Sequence, residues 1–175
     1  MPSAALIWGS TAAERRSAFG CDELIPDAGQ EMFRGVSAAA PAATLFRWLC
    51  QLRHDPYSYD WIDNWGRRSP SRLTPGLEHL EVGQRFMGIF ELVSFAAERE
   101  ITLLLTKTRL FGDFAVSYRV DAVDDGHSRL VAKIRVAYPR GLYGWLLART
   151  LPWGDLVMMR RQLLNLARLA EGSPT

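Results

Sequence analysis

Residues 114–121 read Phe114-Ala115-Val116-Ser117-Tyr118-Arg119-Val120-Asp121, and residues 130–138 answer them with Leu130-Val131-Ala132-Lys133-Ile134-Arg135-Val136-Ala137-Tyr138. In the first run Phe114, Val116, Tyr118 and Val120 alternate with Ser117, Arg119 and Asp121. A period of two predicts a strand with one apolar face. Asp124-Asp125-Gly126 lies between the runs and predicts a hairpin turn. The return run sets Leu130, Ala132, Ile134, Val136 and Tyr138 against Arg129, Lys133 and Arg135. One wet face and one buried face predict an antiparallel sheet covered on one side.

Upstream, Glu100 to Arg109 alternates in the same way, with Ile101, Leu103 and Leu105 on the apolar face. Arg85 to Phe95 reads as one long strand in which Gly88 marks a bulge. Downstream, Pro139, Gly141 and Gly144 interrupt the pattern. After Pro152, Leu156, Met159, Leu163, Leu166 and Ala170 share one helical stripe, so a long helix is expected to cover the sheet. Asp155 then falls in its first turn, where a negative charge suits the helix dipole.

Nearer the N-terminus, Phe33 to Ala39 predicts a first strand. Pro41 suits a first helical position, and Leu45, Trp48, Leu49 and Leu52 follow at helical spacing. Residues 1–30 read as an extended arm packed on the domain, with a helical turn near Ala12 to Ser17; residues 31–175 read as one α+β domain. Residues 54–83 form a long aromatic connection, a length that usually has a purpose such as a pocket rim.

The chain has 175 residues, 48% hydrophobic and 23% charged, with a net charge of +2. A chain of this length buries about 70% of its unfolded surface and needs no staples. All the basic residues except Lys107 and Lys133 are Arg, spread along the chain among 19 acids, which argues against a nucleic-acid partner. Cys21 and Cys50 show neither metal spacing nor a disulfide framework, so a reducing, cytoplasmic setting is expected. No secretory signal is read, and no apolar run reaches the ~20 residues of a spanning helix.

Strand, short helix, connection, antiparallel meander and terminal helix follow the helix-grip order. Three groups of residues strengthen the likeness. They are Arg34-Gly35-Val36-Ser37-Ala38-Ala39-Ala40-Pro41 with Leu45-Phe46-Arg47-Trp48-Leu49; Tyr57-Ser58-Tyr59-Asp60-Trp61-Ile62-Asp63-Asn64; and Trp8-Gly9-Ser10-Thr11 with Gly154-Asp155 and Arg160-Arg161-Gln162-Leu163. The first resembles the opening strand and helix of the START-like superfamily, the polyketide cyclase/dehydrase or SRPBCC group, and the other two resemble an uncharacterised bacterial branch of it. The resemblance covers nearly the whole chain. It implies a helix-grip fold, a curved antiparallel sheet wrapped around a long C-terminal helix. It also implies a cavity between the two, used in the superfamily for lipids, sterols, polyketides and other apolar molecules. Some members are aromatases, cyclases or hydrolases, but no family catalytic set is matched here and none is transferred.

The function expected is binding or transport of a hydrophobic small molecule, with a cyclase or aromatase acting in the same cavity as the alternative. Neither a cofactor nor a metal is expected. The ligand-binding candidates are the inward row Phe90, Leu103, Tyr118 and Ile134, facing Met159 and Leu163, with Tyr57, Tyr59 and Trp61 at the entrance. An amphipathic ring at an entrance faces both ligand and water. The competing reading of the aromatics is a loop pinned into the core. Arg109 continues an inward register and would anchor an anionic headgroup, although fraying of the strand near Phe111 is the favoured explanation.

In the enzyme alternative Tyr118 or a rim Tyr donates to an oxyanion and Asp60 or Glu91 moves protons. His54, His79 and His127 have no partners at ligand spacing, and Asp60, Asp63 and Asn64 read as loop caps rather than as a cation site. Ser58 and Ser69 lack a nucleophile elbow. Leu142, Tyr143, Trp145, Leu146 and Leu147, edged by Arg140 and Arg149, read first as a helix end buried under the sheet and second as a transient membrane contact. The protein is expected to be a monomer or a homodimer.

Overall fold

The hairpin read from residues 114–138 forms the middle of a seven-stranded sheet. The computed structural model describes residues 4–58, 70–105 and 111–173. In chain order the elements are β1 (Ile7–Trp8), α1 (Ala12–Arg16), α2 (Cys21–Leu24), β2 (Gln30–Ala38), α3 (Ala42–Cys50), β3 (Arg85–Phe86), β4 (Phe90–Ala96), β5 (Glu100–Leu105), β6 (Asp113–Ala122), β7 (Ser128–Ala137) and α4 (Leu142–Glu171). The sheet order is β1-β2-β7-β6-β5-β4-β3. Every pairing is antiparallel except the short β1–β2 contact, where Ile7 and Trp8 lie beside Phe33 and Arg34.

The inner face carries Met32, Leu92, Ile101, Leu103, Val116, Tyr118 and Ile134, all buried, and α3 and α4 close over it. Leu163, Leu166 and Ala170 of α4 meet Leu45, Trp48 and Leu49 of α3 in the same core. The stripe read at helical spacing is thus the buried face of α4.

Four expectations need correction. The run from 85 to 95 is not one strand but a tight hairpin, β3–β4, because Met87 and Gly88 take left-handed φ values of 49° and 74°. The outer sheet face is not wet. Thr102, Ser117, Arg119 and Lys133 are all less than a tenth exposed, covered by residues 4–30. These polar side chains are the partners that tie the N-terminal segment down. The Ser117 hydroxyl accepts from the Cys21 N–H at 2.8 Å, and Arg119 donates to the Ala18 carbonyl at 3.2 Å. Arg119 also stacks on the Phe19 ring at 4.1 Å.

The Trp8-Gly9-Ser10-Thr11 run belongs to the same seam. Thr11 caps α1 in a reciprocal capping box with Glu14, and Glu14 pairs with Arg129 at 2.7 Å. Gly9 sits at φ 68°, and a Cβ there would lie 2.1 Å from the Gly35 carbonyl oxygen.

The third correction concerns where the last helix starts. It begins at Leu142 and runs through Pro152 to Glu171. A proline inside a helix leaves the carbonyl four residues back without its donor. Here that carbonyl, Ala148, accepts from the Gln30 amide at 3.4 Å, and Gln30 accepts in turn from the Tyr138 hydroxyl at 2.5 Å. Asp155 is therefore mid-helix and does not sit at the helix dipole. Fourth, the 142–147 segment is not buried under the sheet: Leu142 is 73% exposed, and Tyr143, Trp145 and Leu146 are about half exposed. Only Gly144 of this turn packs inward, against the Pro139 backbone. Among the described residues no helix is long and apolar enough to cross a membrane.

Candidate functional site

A hollow of about 400 Å³ lies between the inner face of the sheet and α4. The sheet supplies Phe90, Phe114, Val116, Tyr118 and Ile134, because residues two apart on a strand share a face. The helix supplies Leu151, Asp155, Met158, Met159 and Gln162, one side of three successive turns. Phe111, 39% exposed, stands where the hollow opens.

The candidates read from sequence separate into three groups. Phe90, Tyr118, Ile134 and Met159 line the hollow. Leu103 and Leu163 do not: both are fully buried in the core, off the cavity wall. Tyr57 is also off the wall. Its ring is buried edge-on against Trp48, with centroids 6.1 Å apart, while its neighbours Pro56 and Ser58 reach the hollow. Tyr59, Trp61 and Arg109 lie outside the described residues, as do Trp65, Asp60, Asp63 and Asn64. Glu91 follows Phe90 on β4, so strand alternation turns it to the opposite face, away from the hollow. It cannot move protons there.

The polar groups in the hollow are few, and the reading of the sequence missed most of them. Asp155 Oδ2 accepts from Arg34 Nη2 at 2.8 Å. Arg34 is fully buried, and its guanidinium also donates to the carbonyls of Ala5 (2.8 Å), Phe33 (3.0 Å) and Leu6 (3.1 Å). Burial pushes the Asp155 carboxyl up to about 6, although Arg34 draws it the other way. Burial likewise lowers the Arg34 guanidinium, with Asp155 opposing.

The Tyr118 hydroxyl donates to Gln162 Oε1 at 2.8 Å, and the Gln162 amide donates to the Pro56 carbonyl at 2.7 Å. Complete burial raises the Tyr118 phenol far above its ordinary value, so it stays protonated. Ser58 donates to the Met158 carbonyl at 3.2 Å. Arg34, Asp155 and Gln162 all belong to the short runs quoted for their resemblance. The i, i+7 spacing of Asp155 and Gln162 puts both on one helical face but does not by itself mark them as cavity groups, and nothing local marks Arg34. The arrangement can surround an apolar body and offer one carboxylate and one phenol at its polar side.

No protein-family model matches the chain, and no curated protein matches it. Solved structures do. A hypothetical protein of Helicobacter pylori superposes with a TM-score of 0.53 at 11% identity, covering 87% of this chain and 95% of that one. A protein of Mesorhizobium loti gives 0.51 at 14% identity, covering 83% and 100%. The Zhui aromatase/cyclase of Streptomyces sp. R1128 gives 0.50 at 14% identity, covering 79% and 94%. At such identities the likeness is one of fold. With the curved seven-stranded sheet and the long terminal helix, it shows that this chain has the helix-grip α+β fold.

Proposed function

We propose that this protein binds a hydrophobic small molecule, lipid- or polyketide-like, in the hollow between sheet and α4, and carries or sequesters it. The observation that supports this reading is an apolar cavity of about 400 Å³ with its few polar groups gathered at the α4 side. Burial of apolar surface supplies the affinity, ~0.8 kcal/mol per methylene. Association costs at least ~4 kcal/mol, so a useful ligand must fill much of the cavity. We place the protein in the cytoplasm, where Cys21 and Cys50, both buried free thiols, stay reduced. Native mass spectrometry of protein purified from cells tests the reading: a retained small molecule is expected. An empty cavity that also takes up no apolar probe overturns it.

The carboxyl of Asp155 supports a second reading, a cyclase or aromatase. An acid titrating near 6 in a water-poor hollow is suited to moving a proton, with the Tyr118 phenol near a developing oxyanion. Under that reading Tyr118→Phe keeps the fold and loses turnover of a polyketide-like chain. If no such chain is turned over by the parent protein, the enzyme reading falls and the binding reading stands.

A further inference from the structure

Each polar group in the hollow has a different amount of capacity left. Ser58 spends its donor on the Met158 carbonyl, the Gln162 amide spends its two on the Pro56 carbonyl and the Met87 sulfur, and Tyr118 spends its donor on Gln162. Asp155 is different: Oδ2 is taken by Arg34, and Oδ1 has no donor among the described residues. Asp155 also lines the cavity, with 11% of its side chain exposed. The free capacity of the site is therefore that of acceptors, Asp155 Oδ1 and the Tyr118 oxygen. Arg34 cannot swing round to meet a ligand anion, because four backbone carbonyls and Asp155 hold it, and its unpartnered Nε is buried on a residue that does not line the hollow.

We propose that the cavity selects an apolar molecule carrying a neutral hydrogen-bond donor, an alcohol or phenol, which donates to Asp155, and that it rejects carboxylates. A carboxylate would face the Asp155 oxygen with no cation free to receive it, and like charges in a poor dielectric repel strongly. An ammonium gains less than the carboxylate alone suggests, since Arg34 at 2.8 Å already offsets that charge. A hydroxyl supplies what the site lacks at no cost in net charge.

This inference rests on the cavity-binding reading, and one set of ligands separates the two. Equilibrium dialysis at pH 7.5 with 2-naphthol, 2-methoxynaphthalene and 2-naphthoate holds the ring constant and varies the polar group. 2-Naphthol is expected to bind at least tenfold tighter than either of the others. In Asp155→Asn the margin over 2-naphthoate is expected to fall below threefold, since the repelling charge is gone. The parent ranking decides the matter on its own if that variant does not fold. Equal binding of all three, or a preference for 2-naphthoate, overturns the inference and leaves the cavity reading standing. Binding of none overturns both.

A separate observation carries a second proposal. Leu142, Trp145, Leu146, Trp153 and Val157 are between 47% and 73% exposed, and their spacing sets them on one side of α4, flanking its buried stripe. From residue 140 to 170 the charged residues are Arg140, Arg149, Arg160, Arg161, Arg168 and the inward Asp155. Arg149 lies over the Trp145 ring at 4.2 Å, within the stripe itself.

We infer that this face docks on an anionic lipid surface: the apolar side chains enter the interface and the arginines meet lipid phosphates. Tryptophan and arginine side by side suit that boundary, where one group is half apolar and the other seeks phosphate. Sedimentation with vesicles of phosphatidylcholine and phosphatidylglycerol (7:3) should pellet the protein, and vesicles of phosphatidylcholine alone should pellet several-fold less. Trp145→Ser with Trp153→Ser, both at exposed sites, should remove binding without moving the melting temperature. Failure to pellet, with light scattering showing a dimer that the double variant dissolves, overturns the proposal and assigns the face to a second copy of the chain.

Discussion

Asp22 and Asp155 are carboxyls packed beside cations, yet they titrate in opposite directions. Burial alone would raise Asp22, but Lys133 at 2.5 Å, the Phe19 N–H at 2.9 Å and Arg135 at 2.8 Å hold it below its ordinary 3.8. A depressed carboxyl contributes stability that is present above pH 3.8 and lost as pH falls through its folded value. Asp155 has one cation and deeper burial, and its carboxyl rises to about 6. A raised carboxyl works the other way: the stability it contributes is present below 3.8 and lost as pH climbs through about 6. The molecule thus keeps a costly charge at the cavity and a helpful one under the N-terminal segment. Asp22→Asn is expected to cost about 2 kcal/mol at pH 7, between the values for surface and buried pairs, because Glu31 still reaches Arg135 at 2.5 Å. Thermal melts across pH check this. The gap between parent and variant should close below pH 3.8, and a gap that does not change with pH would refute the linkage.

At the scale of elements, the helix that covers the sheet depends on a proline that ought to break it. Pro152 costs the Ala148 carbonyl its donor, and the Gln30 side chain from β2 replaces that donor. The replacement matters only while residue 152 is proline. A double-mutant cycle of Gln30→Leu and Pro152→Ala is therefore expected to show coupling of about 1 kcal/mol, the worth of one net hydrogen bond. Urea melts of the four proteins measure it, and strict additivity would mean that Gln30 does not serve the helix. This contact also shows what was legible in the sequence. Alternation found β5, β6 and β7, and helical spacing found α3 and the buried stripe of α4, since both rest on residues a few positions apart. The start of α4 was misread because a proline predicts a break, and its rescuer lies 118 residues away in sequence. The outer face was misread for the same reason. Thr102, Ser117 and Lys133 look like solvent-facing residues until the N-terminal segment is folded over them. Of the site, the apolar wall was legible through the inward strand register. Arg34 and Asp155 were not, because a pair 121 residues apart leaves no local pattern.

For the molecule as a whole, the helix-grip arrangement separates what holds the protein together from what it leaves open. Leu163, Leu166 and Ala170, in the last three turns of α4, pack fully against α3 and the sheet. The middle of the helix, from Leu151 to Met159, instead spans the hollow. A native interior is close-packed, so a hollow of about 400 Å³ between the sheet and α4 is a departure that stability alone does not explain. Filling it should then leave the fold intact while removing the function. Val116 is buried on β6 and lines the hollow, so Val116→Phe directs a ring into the open space rather than into packed neighbours. The expected stability change is under about 1.5 kcal/mol, the range for tolerated core swaps, against the 1–3 kcal/mol typical of overpacking a full core. The melting temperature should shift by a few degrees at most. In the same preparation, co-purified small molecules and 2-naphthol binding should both fall below detection. A variant that melts like the parent and still holds its ligand would place the binding site elsewhere, whereas one that unfolds would mean that the space is needed for packing motions of the sheet and α4.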